Sequence, residues 1–232
     1  MDTIKEFYEK YQYPNPNKYL DYGIEKLYDK SLPINLVNKK ICIAGCGTVQ
    51  AILIAQNNKE SMIHAIDVSE SSLETAKNIA DKFDIKNIMF TTCEFEEYNK
   101  ETDFDYIVAT GVMHHTKDPK IFANHAYKLC KREFVGFVYH ENKRLSKKKY
   151  ASYFLINGFD VQKVKNFFNS NYGFEDISNL SDEEIADRWL NPRFEIYNEE
   201  SFKEFISETN WKHSKLTLTN ADDEKLYFSL LK

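Results

Sequence analysis

Between residues 40 and 140, five short apolar runs alternate with amphipathic segments long enough to be helices, and this alternation limits the fold more than any other feature. KICIAG (40–45), SMIHAID (61–67), NIMFTT (87–92), DYIVATG (105–111) and EFVGFVYH (133–140) read as buried strands. TVQAILIAQNN (48–58), SESSLETAKNIADKF (69–83) and DPKIFANHAYKLCK (118–131) read as helices. In the second of these Ser69 is placed to cap, and Leu73, Ala76, Ala80 and Phe83 share one face. In the third, Asp118 is the cap and Pro119 the first helical residue. Parallel strands need crossover connections of about a dozen residues or more, and helices of this length provide them. The predicted class is therefore α/β, a doubly wound, mostly parallel sheet with helices on both faces. Ligands in such folds gather at the carboxyl ends of the strands, so the ends of the first four strands are where a site is expected.

The flanks read differently. Residues 1–38 look helical around a break at YPNPN (13–17), where two prolines forbid a continuous helix. Residues 145–212 give further helices, among them SDEEIADRWL (181–190) and EESFKEFISETN (199–210). KLTLT (215–219) and KLYFSLL (225–231) then suit an antiparallel hairpin at the edge of the sheet. The expected organisation is an N-terminal helical lid (1–38), a cofactor-binding core (39–144), a helical cap (145–212) and closing strands (213–232).

A net charge of −5 argues against a generic nucleic-acid binder, which normally carries a basic face. KRLSKKK (143–149) is the one basic run, and it reads as a solvated helix face or as an electrostatic guide for an acidic substrate. No apolar run reaches membrane-spanning length, and the acidic, amphipathic N-terminus does not read as a signal peptide. Four cysteines, at 42, 46, 93 and 130, show neither disulfide nor zinc spacing, so a reduced, cytoplasmic protein is expected. It is expected to be a monomer or homodimer, without a nucleic-acid or membrane partner.

The turn IAGCGTVQ (43–50) carries the first chemical signal. Gly45 and Gly47 follow a strand directly, where glycine lets the chain turn sharply and lets a ligand approach the backbone. Asp67 ends the second strand about 20 residues on, where an acid can accept both hydroxyls of a ribose. Together they point to a cofactor containing adenosine. In the dinucleotide pattern G-x-G-x-x-G a third glycine allows close packing beside a pyrophosphate; here Gln50 stands there, which counts against NAD or FAD. S-adenosylmethionine has no pyrophosphate and tolerates a polar residue at that point.

IAGCGTVQ, AIDVSESSLETAK (65–77) and FDYIVATGVMHHTKDP (104–119), taken in order, resemble the class I S-adenosylmethionine-dependent methyltransferases. The resemblance is strongest to bacterial members with a YPYP segment before the core and a DxWLxPxxxxYT segment after it. This chain has YQYPNP (11–16) and DRWLNPRFEIYN (187–198) in those places, with Val49 for a commoner glycine and Asn198 for the threonine. The resemblance implies a Rossmann-like core that binds S-adenosylmethionine and releases S-adenosylhomocysteine. It implies that Gly45, Cys46 and Gly47 back the methionine end, with Gln50 beside them, that Asp67 holds the ribose and that Val68 flanks the adenine. Glu94 would meet the adenine amino group or be a solvated loop charge, and Thr110 and Gly111 would border the sulfonium.

Methyl transfer is an in-line displacement, so the nucleophile must be held close to the methyl group and deprotonated if it arrives with a proton. His114 and His115 follow the fourth strand: one of them is a candidate base or substrate orienter, and the pair could otherwise be a structural turn. Tyr13, Arg193 and Tyr197 could close over the cofactor or hold an anionic or polar substrate, or simply pack. Asp187 is open in the same way, and Trp189 reads as core. NPRF (191–194) resembles the Asn-Pro-Pro-aromatic motif of DNA amino-methylating enzymes but stands far from the end of the fourth strand, where that motif belongs. The expected function is metal-independent methyl transfer to a small molecule or a protein side chain. The alternatives are an NAD-dependent oxidoreductase and a non-catalytic protein that binds cofactor or partner.

Overall fold

The computed structural model describes residues 4–27, 29–100, 103–170, 176–222 and 224–232, so the first three residues of the acidic N-terminal stretch lie outside it. The N-terminal break at the prolines separates α1 (Ile4–Lys10) from α2 (Pro16–Asp21). The alternating region then folds as β1 (Lys40–Ala44), α3 (Gln50–Asn57), β2 (Met62–Asp67), α4 (Glu70–Lys82), β3 (Ile88–Thr92), β4 (Phe104–Thr110), α5 (Pro119–Leu129) and β5 (Cys130–His140). Both predicted caps form. The Ser69 hydroxyl accepts from the Ser72 amide, and the Asp118 carboxylate accepts from the amides of Lys120 and Ile121.

After the core come α6 (Glu141–Ile156), α7 (Val161–Ser170), α8 (Asp182–Trp189), the two-residue β6 (Ile196–Tyr197), α9 (Glu199–Ser207), β7 (Lys215–Asp222) and β8 (Lys225–Leu231). Among the described residues the sheet runs β3-β2-β1-β4-β5-β8-β7, with β6 pairing β5 off this path. β1 to β5 pair in parallel, and β8 joins β5 and β7 antiparallel, as the two terminal runs predict. Strand order reverses between β1 and β4, which opens a crevice at their carboxyl ends.

The pleat divides the core in two. Ile41, Ile43, Ile63, Ala65 and Val108 face one layer; Cys42, Ala44, Ile66, Ile107 and Ala109 face the other. Being apolar on both sides is what a sheet covered by helices on both faces requires. A third cluster lies outside the sheet and joins Phe7 of α1 to Phe154 of α6, Val164 and Phe168 of α7, and Trp189 of α8. Trp189 is core, as expected. The N-terminal helix and the C-terminal helices thus share one apolar cluster. Among the described residues no helix is long and apolar enough to cross a membrane.

Candidate active site

The glycine turn after β1 is fixed from two sides. Gly45 and Gly47 have φ of +65° and +54°, a region that L side chains rarely enter. A Cβ on Gly45 would meet the methyl groups of Val112 at 2.5 and 2.6 Å; on Gly47 it would meet the Tyr13 carbonyl oxygen at 2.3 Å. The loop after β4 and the N-terminal segment therefore press directly on the turn. Thr48 adds to this contact, its amide donating to the Tyr13 carbonyl and its hydroxyl to that of Pro14.

Asp67 organises the next position. One carboxylate oxygen accepts from the Gly47 amide at 2.8 Å, the other from the Ser69 amide at 2.9 Å, so the side chain bridges the turn to the start of α4. Burial pushes its carboxyl upward in pKa, against the pull of these backbone donors. Each oxygen keeps acceptor capacity beyond one bond, and Asp67 lines the cavity above the strand ends.

That cavity has a volume of about 320 Å³. It brings together Gly45, Cys46, Gly47, Gln50, Asp67, Val68, Thr110, Gly111, His115, Tyr13 and Arg193 from the sequence candidates. Gln50 acts as a tie: its amide donates to Asp29 at 2.9 Å and to the Thr110 hydroxyl at the end of β4. Three candidates are not brought in. Glu94 is exposed and outside the lining; the acid after β3 that does line the cavity is Glu96, in the short helical turn Phe95–Glu97. Glu96 has one carboxylate oxygen buried without a hydrogen-bond partner among the described residues, and burial raises its pKa. Tyr197 is buried in the core against Phe202 and Phe205, its pKa pushed up to about 12 by that burial. The pairing of β6 with β5 turns its ring inward, a contact too short to leave a periodic signal.

His114 is the third. It is fully buried, packs its ring 4.1 Å from that of Tyr139 and lies outside the lining. His115 occupies the cavity wall instead. Its Nδ1 lies 2.6 Å from the Arg193 carbonyl oxygen, which can only accept, so Nδ1 carries the proton and Nε2 the lone pair. Nε2 is buried without a partner among the described residues. Burial lowers the pKa of both histidines, His114 well below the usual range; at His115 the nearby Asp187 carboxylate and the Arg193 carbonyl oppose the shift.

At this end Tyr8 and Tyr139, which left no mark in the sequence as site residues, meet Asp187, whose role the sequence leaves open. Asp187 accepts from the Tyr8 phenol at 3.0 Å and from the Tyr139 phenol at 3.1 Å, while Asn191 donates to the Tyr8 oxygen at 3.0 Å. Burial raises both phenols well above their ordinary pKa, and Asp187 adds to this, which keeps them as donors. Arg144 also lines the cavity, its guanidinium 3.8 Å from the centre of the Tyr139 ring and paired with Glu224 at 3.2 Å. Arg144 and Lys147 are both buried, so KRLSKKK is not simply a solvated face: one side of α6 turns its cations inward.

A family profile described as a methyltransferase domain matches residues 36–184, which is more than half of the chain and contains β1 to β5 with the whole glycine turn. The chain belongs to the methyltransferase-domain family. Solved structures agree at the level of fold. This methyltransferase superposes on PKMT2 from Rickettsia typhi with a TM-score of 0.64 at 16% identity, over 95% of this chain but 52% of that one. It matches magnesium protoporphyrin IX methyltransferase from Synechocystis PCC 6803, crystallised with bound S-adenosylmethionine, with a TM-score of 0.54 at 12% identity over 85% and 72% of the two chains. It also matches a methyltransferase of Aquifex aeolicus with a TM-score of 0.52 at 13% identity, over 97% and 91%.

Proposed function

We propose that this methyltransferase takes its methyl group from S-adenosylmethionine and that His115 deprotonates the acceptor. The cavity suits that donor on its own evidence. The turn admits no Cβ at Gly45 or Gly47, Asp67 can accept from a ribose, and the orphaned Glu96 oxygen can accept from an adenine amino group. Gln50 stands where a dinucleotide site needs a third glycine and is tied to Asp29 and Thr110, which supports a sulfonium donor over a pyrophosphate. When bound, S-adenosylmethionine supplies an electrophilic methyl group and leaves as S-adenosylhomocysteine.

The chain's own residues do the rest by position and proton transfer. Thr110 and Gly111 close the end of β4 beside His115, so the base stands next to the place where the donor's sulfur belongs. His115 offers Nε2 because Nδ1 is committed to the Arg193 carbonyl, and burial keeps the ring neutral at neutral pH. A base in that state takes the proton of an O–H or N–H acceptor as the acceptor attacks along the line of the departing sulfur. The single observation that carries this reading is that His115, whose Nε2 has no hydrogen-bond partner among the described residues, lines the cavity that also holds Asp67 and the glycine turn. Incubating the protein and a cell extract with methyl-labelled S-adenosylmethionine tests it. Label should enter a product with wild-type protein and fall about 10²-fold or more with His115→Asn. Equal labelling by both proteins would refute the role of His115.

A further inference from the structure

The acceptor end of the cavity has its own electrostatic character. Arg144 rises from α6 with its side chain only 7% exposed, paired with Glu224 through one terminal nitrogen. Its Nε is buried without a hydrogen-bond partner among the described residues. A guanidinium holds five N–H donors in a fixed plane, and leaving one of them unmet in a buried place is costly. The guanidinium lies against the face of Tyr139, and the His115 ring meets that same tyrosine edge-on at 5.2 Å. The buried cation and the base are thus neighbours on one ring. Arg193 and Lys225 line the same cavity, with Lys225 drawn over Phe137 at 4.9 Å. Asp187, which lines the same cavity, has each of its two oxygens held by a tyrosine phenol.

We propose that the methyl acceptor is a small molecule bearing a carboxylate or phosphate, held by Arg144 with Arg193 and Lys225 so that its nucleophilic atom meets His115. This rests on the reading of the same cavity as a donor site with His115 as base. A planar guanidinium fork suits either oxyanion, and the aromatic walls Tyr8, Tyr13, Phe137 and Tyr139 suit a flat, partly apolar body.

The test is calorimetric titration of the full chain, first with S-adenosylhomocysteine and then, on that complex, with benzoate, phenyl phosphate and the neutral benzamide. The proposal expects benzoate or phenyl phosphate to bind at least about tenfold tighter than benzamide, with the tighter of the two identifying the anion. Arg144→Gln should erase that preference and leave the affinity for S-adenosylhomocysteine within about twofold. If Arg144→Gln does not fold, Arg193→Gln at the exposed rim takes its place, with at least a threefold loss of anion affinity expected. Equal binding of benzamide, or no binding of either anion, would overturn the anionic acceptor alone. A large loss of S-adenosylhomocysteine affinity in Arg144→Gln would also overturn it, by assigning the cation to the donor's own carboxylate. Failure of S-adenosylhomocysteine to bind wild-type protein would sink the underlying donor reading, and this proposal with it.

Discussion

His115 and His114 are adjacent, both buried and both depressed in pKa, yet of the two only His115 lines the cavity, with its Nδ1 bonded to the Arg193 carbonyl. A histidine that is harder to protonate in the folded chain binds fewer protons than the unfolded chain does, so its contribution is present above the ordinary histidine pKa. It is lost as pH falls from there through the lowered value. Thermal stability should therefore drop as pH is taken from 7.5 to 5, and His114→Phe should flatten part of that drop in a melting series. A slope unchanged by the substitution would show that other groups govern acid sensitivity. Activity should hold below pH 6.5 further than an exposed histidine base would allow, read as the acid limb of kcat/KM. The choice between the two histidines could not be read from HH in the sequence, because it depends on a carbonyl 78 residues away, that of Arg193. Glu94 and Glu96 differ in the same way. Both are acids after β3, and the short helical turn alone decides which faces the cavity.

The elements from β1 to β5 were legible because each leaves a local signature: an apolar run, a cap, a helical period. α4 shows this at both ends, from the Ser69 cap to the buried Leu73, Ala76 and Ala80. α6 does not, since its apolar and basic residues follow no sharp stripe, and so the inward turn of Arg144 and Lys147 went unannounced. The turn after β1 makes the strongest prediction at this scale. Gly47→Ala places a Cβ against the Tyr13 carbonyl and asks alanine to adopt φ of +54°, so it should destabilise the fold by about 1–3 kcal/mol in denaturant titration. It should weaken S-adenosylhomocysteine binding as well. A neutral result would mean that the N-terminal segment does not rest on the turn. Asp118→Ala, which removes the cap of α5, should cost about 1 kcal/mol in the same titration.

At the scale of the whole molecule, the site is a crevice at the strand-order reversal, roofed by two parts of the chain that lie far apart in sequence. Phe7 of α1 sits in one apolar cluster with Phe168 and Trp189, and Tyr8 from the same helix reaches Asp187, so N-terminal and C-terminal helices roof the cavity together. Phe7→Ala should therefore cost about 3–5 kcal/mol, as deleting a fully buried ring does, and lower ligand affinity although Phe7 is not itself in the lining, because its ring supports that of Tyr8, which is. The sequence could suggest a lid and a cap but not that they share a core, because that contact spans most of the chain. In the proposed function the glycine turn and Asp67 form the seat of S-adenosylmethionine. Calorimetric titration with S-adenosylhomocysteine and with NAD, on wild-type protein and on Asp67→Ala, is the decisive measurement. Saturable binding of S-adenosylhomocysteine but not NAD, weakened about tenfold or more by the substitution, is the predicted result; binding of NAD instead, or unchanged affinity in Asp67→Ala, would contradict it.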